Sequence, residues 1–234
     1  MVKICIFDAY GTLFDVTSAT RMVANEEEYS NFPNHSVKVS NTWRIKQLEY
    51  SWLRNIMHEY IDFWQITKDA LDFALEENQI KNENLRQRLL DVYWNLSAYP
   101  EAQDVLTTLK ANNIQTGILS NGSKEMLNSA VVSANLKNYL DKIISIDCIE
   151  IYKPDPKVYE MVLDQFNCKK EEVLFISSNG WDIAGASKFG FTTLWINRNL
   201  IPKDRLTFIP NKITVYEDRP QFFIDNKILI EDLL

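Results

Sequence analysis

Asp8 closes a short apolar run, and Thr12 stands four residues after it. Related groups recur far along the chain in tight clusters: Ser120-Asn121-Gly122, Lys153 after Ile149-Glu150-Ile151-Tyr152, and Ser177-Ser178-Asn179-Gly180-Trp181-Asp182. Arg44 lies between them in sequence, near the start of a stretch with helical period. One candidate carboxylate nucleophile, small hydroxyls, one lysine and one arginine suit displacement at an electrophilic carbon or phosphorus of an anionic substrate. Each group also has a plainer reading. Asp8 and Thr12 would cap a turn, Ser120 and Ser123 a helix, and Asn121-Gly122 is a common turn pair. Asp182 suits a helix's first turn, Lys153 a solvated surface, Arg44 a helix-face charge and Trp181 a core. None of those readings predicts that the groups gather at strand ends.

The elements that must position them follow from periodicity. Residues 2–7 are apolar or β-branched apart from Lys3, and end at Asp8 before Ala9-Tyr10-Gly11-Thr12. They read as a buried strand with a carboxylate at its carboxyl end. From Trp43 to Trp64, the residues Ile45, Leu48, Trp52, Ile56, Tyr60 and Phe63 recur every three or four positions, the spacing of one helical face. Further helical stretches follow at about 67–76 and 84–96. After Tyr99-Pro100 strand and helix alternate, with strands at 114–119, 143–146, 173–176 and 192–196. Helices are expected up to about Lys110, from Ser123, from Pro156 and over 183–189.

This alternation predicts a parallel sheet covered by helices, and the first strand is too short and too apolar to stand outside it. The expected class is α/β. A Rossmann-like core of residues 1–14 and 99–234 is interrupted by an all-helical cap domain, 15–98. Ligands of open α/β sheets collect outside the carboxyl ends of the strands, where Asp8 and the three later clusters fall. The chain has only 6 glycines, yet Gly11, Gly122 and Gly180 all sit in these loops. The last thirty or so residues, with Pro202, Pro210 and Pro220, show no clear period.

Composition narrows the partners. A hydrophobic share of 46% with 24% charged residues is that of a globular chain. A net charge of −7 opposes non-specific binding to nucleic acid or anionic membrane. Cys5, Cys148 and Cys168 have no C-x-x-C spacing and read as buried, reduced thiols. His35 and His58, the two histidines, give little support to a zinc site or a Ser-His-Asp triad. Four apolar residues before Asp8 are too few for a signal-peptide core, and no later run approaches a membrane span, so a cytoplasmic protein is expected.

Phe7-Asp8-Ala9-Tyr10-Gly11-Thr12-Leu13-Phe14-Asp15 resembles the first motif of the haloacid dehalogenase superfamily. From Asp8 through Asn197-Arg198 the set resembles that superfamily's L-2-haloacid dehalogenase family. Trp43-Arg44, Lys46-Gln47-Leu48-Glu49-Tyr50 and Trp52-Leu53-Arg54 match its cap-helix signature. The clusters at 120–122, 152–155 and 177–182, with Tyr159, match its core motifs.

The resemblance implies conversion of (S)-2-haloalkanoic acids to (R)-2-hydroxyalkanoic acids, with inversion, through an ester on Asp8. In that scheme Lys153 keeps Asp8 ionised, Arg44 faces the departing halide, and Thr12, Ser177 and Asn179 steady the carboxylate. Asp182 is the candidate to activate the hydrolytic water. Ser120 and backbone N–H groups bind the substrate carboxylate, Asn121 and Tyr159 complete the polar shell, and Tyr10, Leu48, Phe63 and Trp181 form the walls. It also implies a small halogenated carboxylate as substrate, a homodimer, and no cofactor.

Most of the superfamily are magnesium-dependent phosphatases, and this chain departs from their pattern. Tyr10 stands where a phosphatase has a second Asp, and Ser177 and Ser178 stand where it has an acidic metal ligand. A hard octahedral cation would lack a principal oxygen ligand, so no metal is expected. The rival readings are a phosphatase of this superfamily and a catalytically silent module on the same fold. Joint retention of Asp8, Thr12, Arg44, Ser120, Lys153 and Asp182 argues against the silent module.

Overall fold

The computed structural model describes residues 2–208 and 210–215. The expectation that the core runs to residue 234 lies outside the described residues from 216 onward. Six strands form one all-parallel sheet: β1 (Ile4–Phe7), β2 (Gln115–Ser120), β3 (Lys142–Ser145), β4 (Val173–Ser177), β5 (Thr192–Asn197) and β6 (Lys212–Val215). Their order is β3-β2-β1-β4-β5-β6. The direction of winding reverses at β1, so a crevice opens between the carboxyl ends of β1 and β4, where α/β sheets bind ligands. Every residue of β1 and β4 is buried, which is why both read as continuous apolar runs.

Strand β6 falls in the stretch where the sequence shows no period. It is held to β5 in register Leu194↔Lys212, and Asn211 Oδ1 accepts from the Thr193 N–H at 2.9 Å.

Between β1 and β2 the chain is helical: α1 (Ser18–Val23), α2 (Pro33–Met57), α3 (Phe63–Glu77) and α4 (Glu83–Trp94), with α5 (Ala102–Ala111) leading into β2. The single helix expected over 43–64 is two helices. Helix α2 begins ten residues earlier, with Pro33 at its first turn, and ends where His58 takes the left-handed conformation at φ 57°. Helix α3 then restarts behind Asp62, whose carboxylate accepts from the Gln65 N–H.

The buried face of α2 also differs from the expected one. Val39, Trp43, Gln47 and Ser51 are buried at steps of four, whereas Ile45 and Ile56 are 61% and 72% exposed. The polar Gln47 and Ser51 hide this face from a hydrophobicity pattern. Helices α6 (Lys124–Ser133), α7 (Pro156–Phe166) and α8 (Gly180–Phe189) connect the later strands as expected. The side chain of Ser123 caps α6 and that of Asp155 caps α7.

The two crossings between sheet and helical cap pair with each other. The Asp15 N–H donates to Ser97 O at 3.0 Å and the Tyr99 N–H to Leu13 O at 2.8 Å. All three cysteines are free thiols, but only Cys5 is buried. Cys148 is exposed and Cys168 half-buried, contrary to the expectation for both.

Candidate active site

Asp8 follows β1 directly, and its N–H donates to Ile176 O of β4 at 2.9 Å, which fixes the residue beside the crevice. Its side chain is buried, and its two oxygens have separate partners. Thr12 Oγ1 donates to Oδ2 at 3.0 Å and Asn179 Nδ2 donates to the same oxygen at 2.8 Å. Lys153 Nζ donates to Oδ1 at 3.1 Å. Thr12 is itself anchored to the far side of the crevice, because its hydroxyl accepts the Ser178 N–H at 2.9 Å. The turn that brings Thr12 back to Asp8 needs Gly11, whose φ is +91°.

Lys153 is 1% exposed and lies between two carboxylates, with Asp182 Oδ2 at 2.9 Å. Burial alone would lower its pKa, but Asp182 and Asp8 outweigh burial and hold it above the ordinary lysine value, so the ammonium persists. Burial pushes the Asp182 carboxyl up to about 6, with Lys153 pulling against the rise and Asp8 adding to it. The Tyr159 hydroxyl donates to Asp182 Oδ1 at 2.8 Å. Tyr159 is fully buried and so stands behind Asp182 as its anchor, a different place from the expected substrate shell.

The expectation for Ser177 also needs correction. Its hydroxyl accepts the Asn179 N–H at 3.1 Å, so the bond the structure shows acts on Asp8 only through Asn179. Asn121 Oδ1 accepts the Lys153 backbone N–H at 2.9 Å, and Ser120 Oγ accepts the Gly122 N–H at 3.1 Å. Gly122 has no room for a side chain, since a Cβ there would meet the Tyr10 ring at 2.6 Å.

Arg44 reaches down from α2. Its Nη2 donates to Tyr10 O and to Asn179 Oδ1, each at 3.2 Å. The Tyr10 ring packs near Phe63 with centroids 6.0 Å apart, and the Trp181 ring meets Trp52 edge-on at 5.3 Å. A cleft of about 630 Å³ opens beside the site, lined by Arg44, Gln47, Leu48, Asn179 and Trp181 among others. Asn179 both lines the cleft and bonds Asp8 directly, while Arg44 and Ser178 line the cleft and reach Asp8 through Asn179 and Thr12.

Three functional groups escaped the sequence reading. Gln47 Oε1 accepts from Arg44 Nη1 at 2.9 Å, and the Tyr93 hydroxyl accepts from Gln47 Nε2 at 3.0 Å. Arg198 donates to the carbonyls of Gly11 and Thr12 and stacks on Tyr99, fastening the loop that follows Asp8. Gln47 lies three residues after Arg44, a helical neighbour spacing that was the available signal. Nothing in the sequence alone separates Arg198 from a surface arginine.

Such a site defines an α/β enzyme that sets a strand-end carboxylate, hydrogen-bonded to a buried lysine ammonium, beneath a helical cap. The family model of haloacid dehalogenase-like hydrolases matches residues 2–190. The chain is 45% identical to (S)-2-haloacid dehalogenase 1 of Pseudomonas sp. strain CBS-3, over 95% of this chain and 97% of that protein. A solved dehalogenase structure superposes with a TM-score of 0.87 at 41% identity, covering 96% of both chains. The L-2-haloacid dehalogenase of Xanthobacter autotrophicus, solved with chloropropionic acid covalently bound, gives 0.81 at 33% identity, over 92% of this chain and 94% of that one. The protein therefore belongs to the haloacid dehalogenase-like hydrolases, and within them to the L-2-haloacid dehalogenase family.

Proposed function

We propose that the protein hydrolyses (S)-2-haloalkanoic acids to (R)-2-hydroxyalkanoic acids, with Asp8 as nucleophile. The observation that carries this assignment is the single ammonium of Lys153 set between Asp8 and Asp182. It sets a cation against the Asp8 carboxylate and leaves a second carboxylate, with a raised pKa, on its other side.

An Asp8 oxygen attacks C2 from behind, the C2–O bond forms, and the carbon–halogen bond breaks with its electron pair leaving as halide. Arg44, half-buried at the cleft, offers the departing anion a guanidinium. Halide needs no proton on leaving, which fits the phenol of Tyr10 at the position where a proton-donating carboxyl would otherwise stand. A water then attacks the ester carbonyl of Asp8, one of its protons passing to Asp182. The bond between that carbonyl carbon and the substrate oxygen breaks, the second water proton ends on that oxygen to give the hydroxy acid, Asp8 returns as a carboxylate, and Asp182 releases its proton to solvent. Ser120 and neighbouring N–H groups bind the substrate carboxylate, and Asn121 fixes the backbone of Lys153. Leu48, Phe63, Tyr10 and Trp181 wall the substrate.

Within this scheme, among the described residues, 15–98 form the cap domain over a core of 2–14 and the described part of 99–215. Two copies pair through the exposed Val37, Ile45, Ile56 and Met57 of α2, an apolar set that favours cover. A mass of two chains in light scattering is the expected result. No helix among the described residues is long and apolar enough to cross a membrane, and a cytoplasmic location fits the reaction.

The direct experiment is halide release from each enantiomer of 2-chloropropionate. Release from the S form with (R)-lactate as product is expected. Release from both forms, racemic lactate, or phosphate-ester hydrolysis faster than either would overturn the assignment.

A further inference from the structure

Lys153 is fixed at both ends, but only its ammonium and its own N–H are held from the core. The peptide before it is held from the cap. Asn55, in the last turn of α2, accepts the Tyr152 N–H on its Oδ1 at 3.0 Å. The Tyr152 hydroxyl returns the connection by donating to Ile61 O, in the link between α2 and α3, at 2.6 Å. The Tyr152 ring is fully buried and lies against Tyr60 and Phe63, with centroids 5.5 and 6.1 Å away. Tyr60 ties the same link to the core through Asp147, to which its hydroxyl donates at 3.1 Å. Successive N–H groups, those of Tyr152 and Lys153, are thus gripped by Asn55 of the cap and by Asn121 of the core.

We propose that Asn55 and Tyr152 are positioning residues, a latch through which the seated cap holds Lys153 between Asp8 and Asp182. Neither residue touches the reacting carboxylates. Their effect is on where the lysine backbone sits, and a long lysine stem transmits an error there to its ammonium. With the latch closed, docking of the cap and assembly of the buried charge triad are one event. The cap then both shuts out water and completes the nucleophile's environment. The inference rests on the dehalogenase reading only in its kinetic consequence.

The charged and titratable groups facing Asp182 are Lys153, Asp8 and Tyr159. Around the latch stand Arg54, His58, Tyr60, Asp62, Asp147 and Glu150. Asn55→Ala alters none of these charges, so any change in Asp182 titration reports a moved ammonium. A lysine farther from Asp182 pulls its pKa down less, and the acid limb of the rate profile moves upward in pH.

The test compares Asn55→Ala, Asn55→Asp and Tyr152→Phe by kcat and KM across pH and by hydrogen exchange of the peptide carrying Tyr152 and Lys153. Asn55→Ala is expected to lower kcat about tenfold, with KM within about twofold, and to raise the acid limb by roughly half a pH unit. Its peptide exchanges faster. Asn55→Asp retains an oxygen that accepts the Tyr152 N–H and restores exchange and most of kcat, while Tyr152→Phe falls between. Unchanged exchange in Asn55→Ala, equal losses in the Ala and Asp variants, or a lost kcat with the acid limb unmoved would overturn the latch. A wild-type protein that releases no halide defeats the dehalogenase reading instead, and exchange then decides the latch by itself.

Discussion

The side-chain amide of Gln47 is locked to face Arg44. Its oxygen accepts from the guanidinium at 2.9 Å while its nitrogen donates to Thr67 Oγ1 at 2.8 Å and to the Tyr93 hydroxyl. Turning the amide over would set NH2 against a cation, so Gln47 fixes both the direction and the depth of the arginine. A guanidinium held in this way is a planar donor set in one orientation.

Arg44→Lys is therefore expected to lose about 100-fold in kcat, because a flexible point charge cannot reproduce the fork that sets Nη1 on Gln47 Oε1 and Nη2 on Tyr10 O and Asn179 Oδ1. Gln47→Leu removes the acceptor on Nη1 and leaves Arg44 held through Nη2 alone, and a loss of roughly tenfold is expected. Steady-state halide release measures both. An Arg44→Lys variant near the wild-type rate would remove Arg44 from the chemistry.

The pH profile has a predicted sign. Asp182 is pushed up to about 6, chiefly by burial, and only its ionised form accepts a proton from water. Turnover is expected to hold above that point and to fall by about tenfold per pH unit well below it. Asp182→Asn should abolish this limb and stall the enzyme as an ester, detectable as added mass on the peptide containing Asp8. A limb that persists in Asp182→Asn would assign it to another group.

Metal provides a third test. Asp8 and Asp182 share the Lys153 ammonium, and among the described residues no group of three or more His, Cys, Asp or Glu side chains is gathered to hold an ion. Activity is expected to survive exhaustive chelation and not to rise with magnesium. A strict magnesium requirement would return the phosphatase reading.

How far the sequence carried the site depended on whether a residue's role is local. Asp8, Thr12, Lys153, Asn179 and Asp182 stand at strand ends, where alternation of strand and helix marks the position and residue type names the chemistry. All five converge in the structure. The cap was harder. Its long helix buries Gln47 and Ser51 and exposes Ile45 and Ile56, so apolar spacing pointed at the wrong face and overran the stop at His58. Gln47 and Arg198 work through partners distant in sequence, and no local pattern encodes those partners. Ser177 was placed against Asp8 by its motif, whereas its hydroxyl accepts the Asn179 N–H.

The covalent step is the sharpest remaining test, because a strand-end carboxylate could equally serve as a general base for direct attack by water on C2. The two paths send oxygen to different places. With Asp8 as nucleophile, the hydroxyl of the first lactate comes from the carboxylate, and solvent oxygen enters Asp8 when the ester carbonyl is attacked. With Asp8 as base, solvent oxygen appears at once in lactate. The structure favours the first path. Asp8 Oδ2 is held by Thr12 and Asn179 and Oδ1 by the Lys153 ammonium, so the carboxylate is fixed in direction, a condition that favours nucleophilic attack. A single turnover in heavy-oxygen water with enzyme in excess is expected to give an unlabelled lactate hydroxyl and label in the Asp8 peptide. Labelled lactate beside an unlabelled Asp8 peptide would establish the general-base path and strip Lys153 of the role assigned to it.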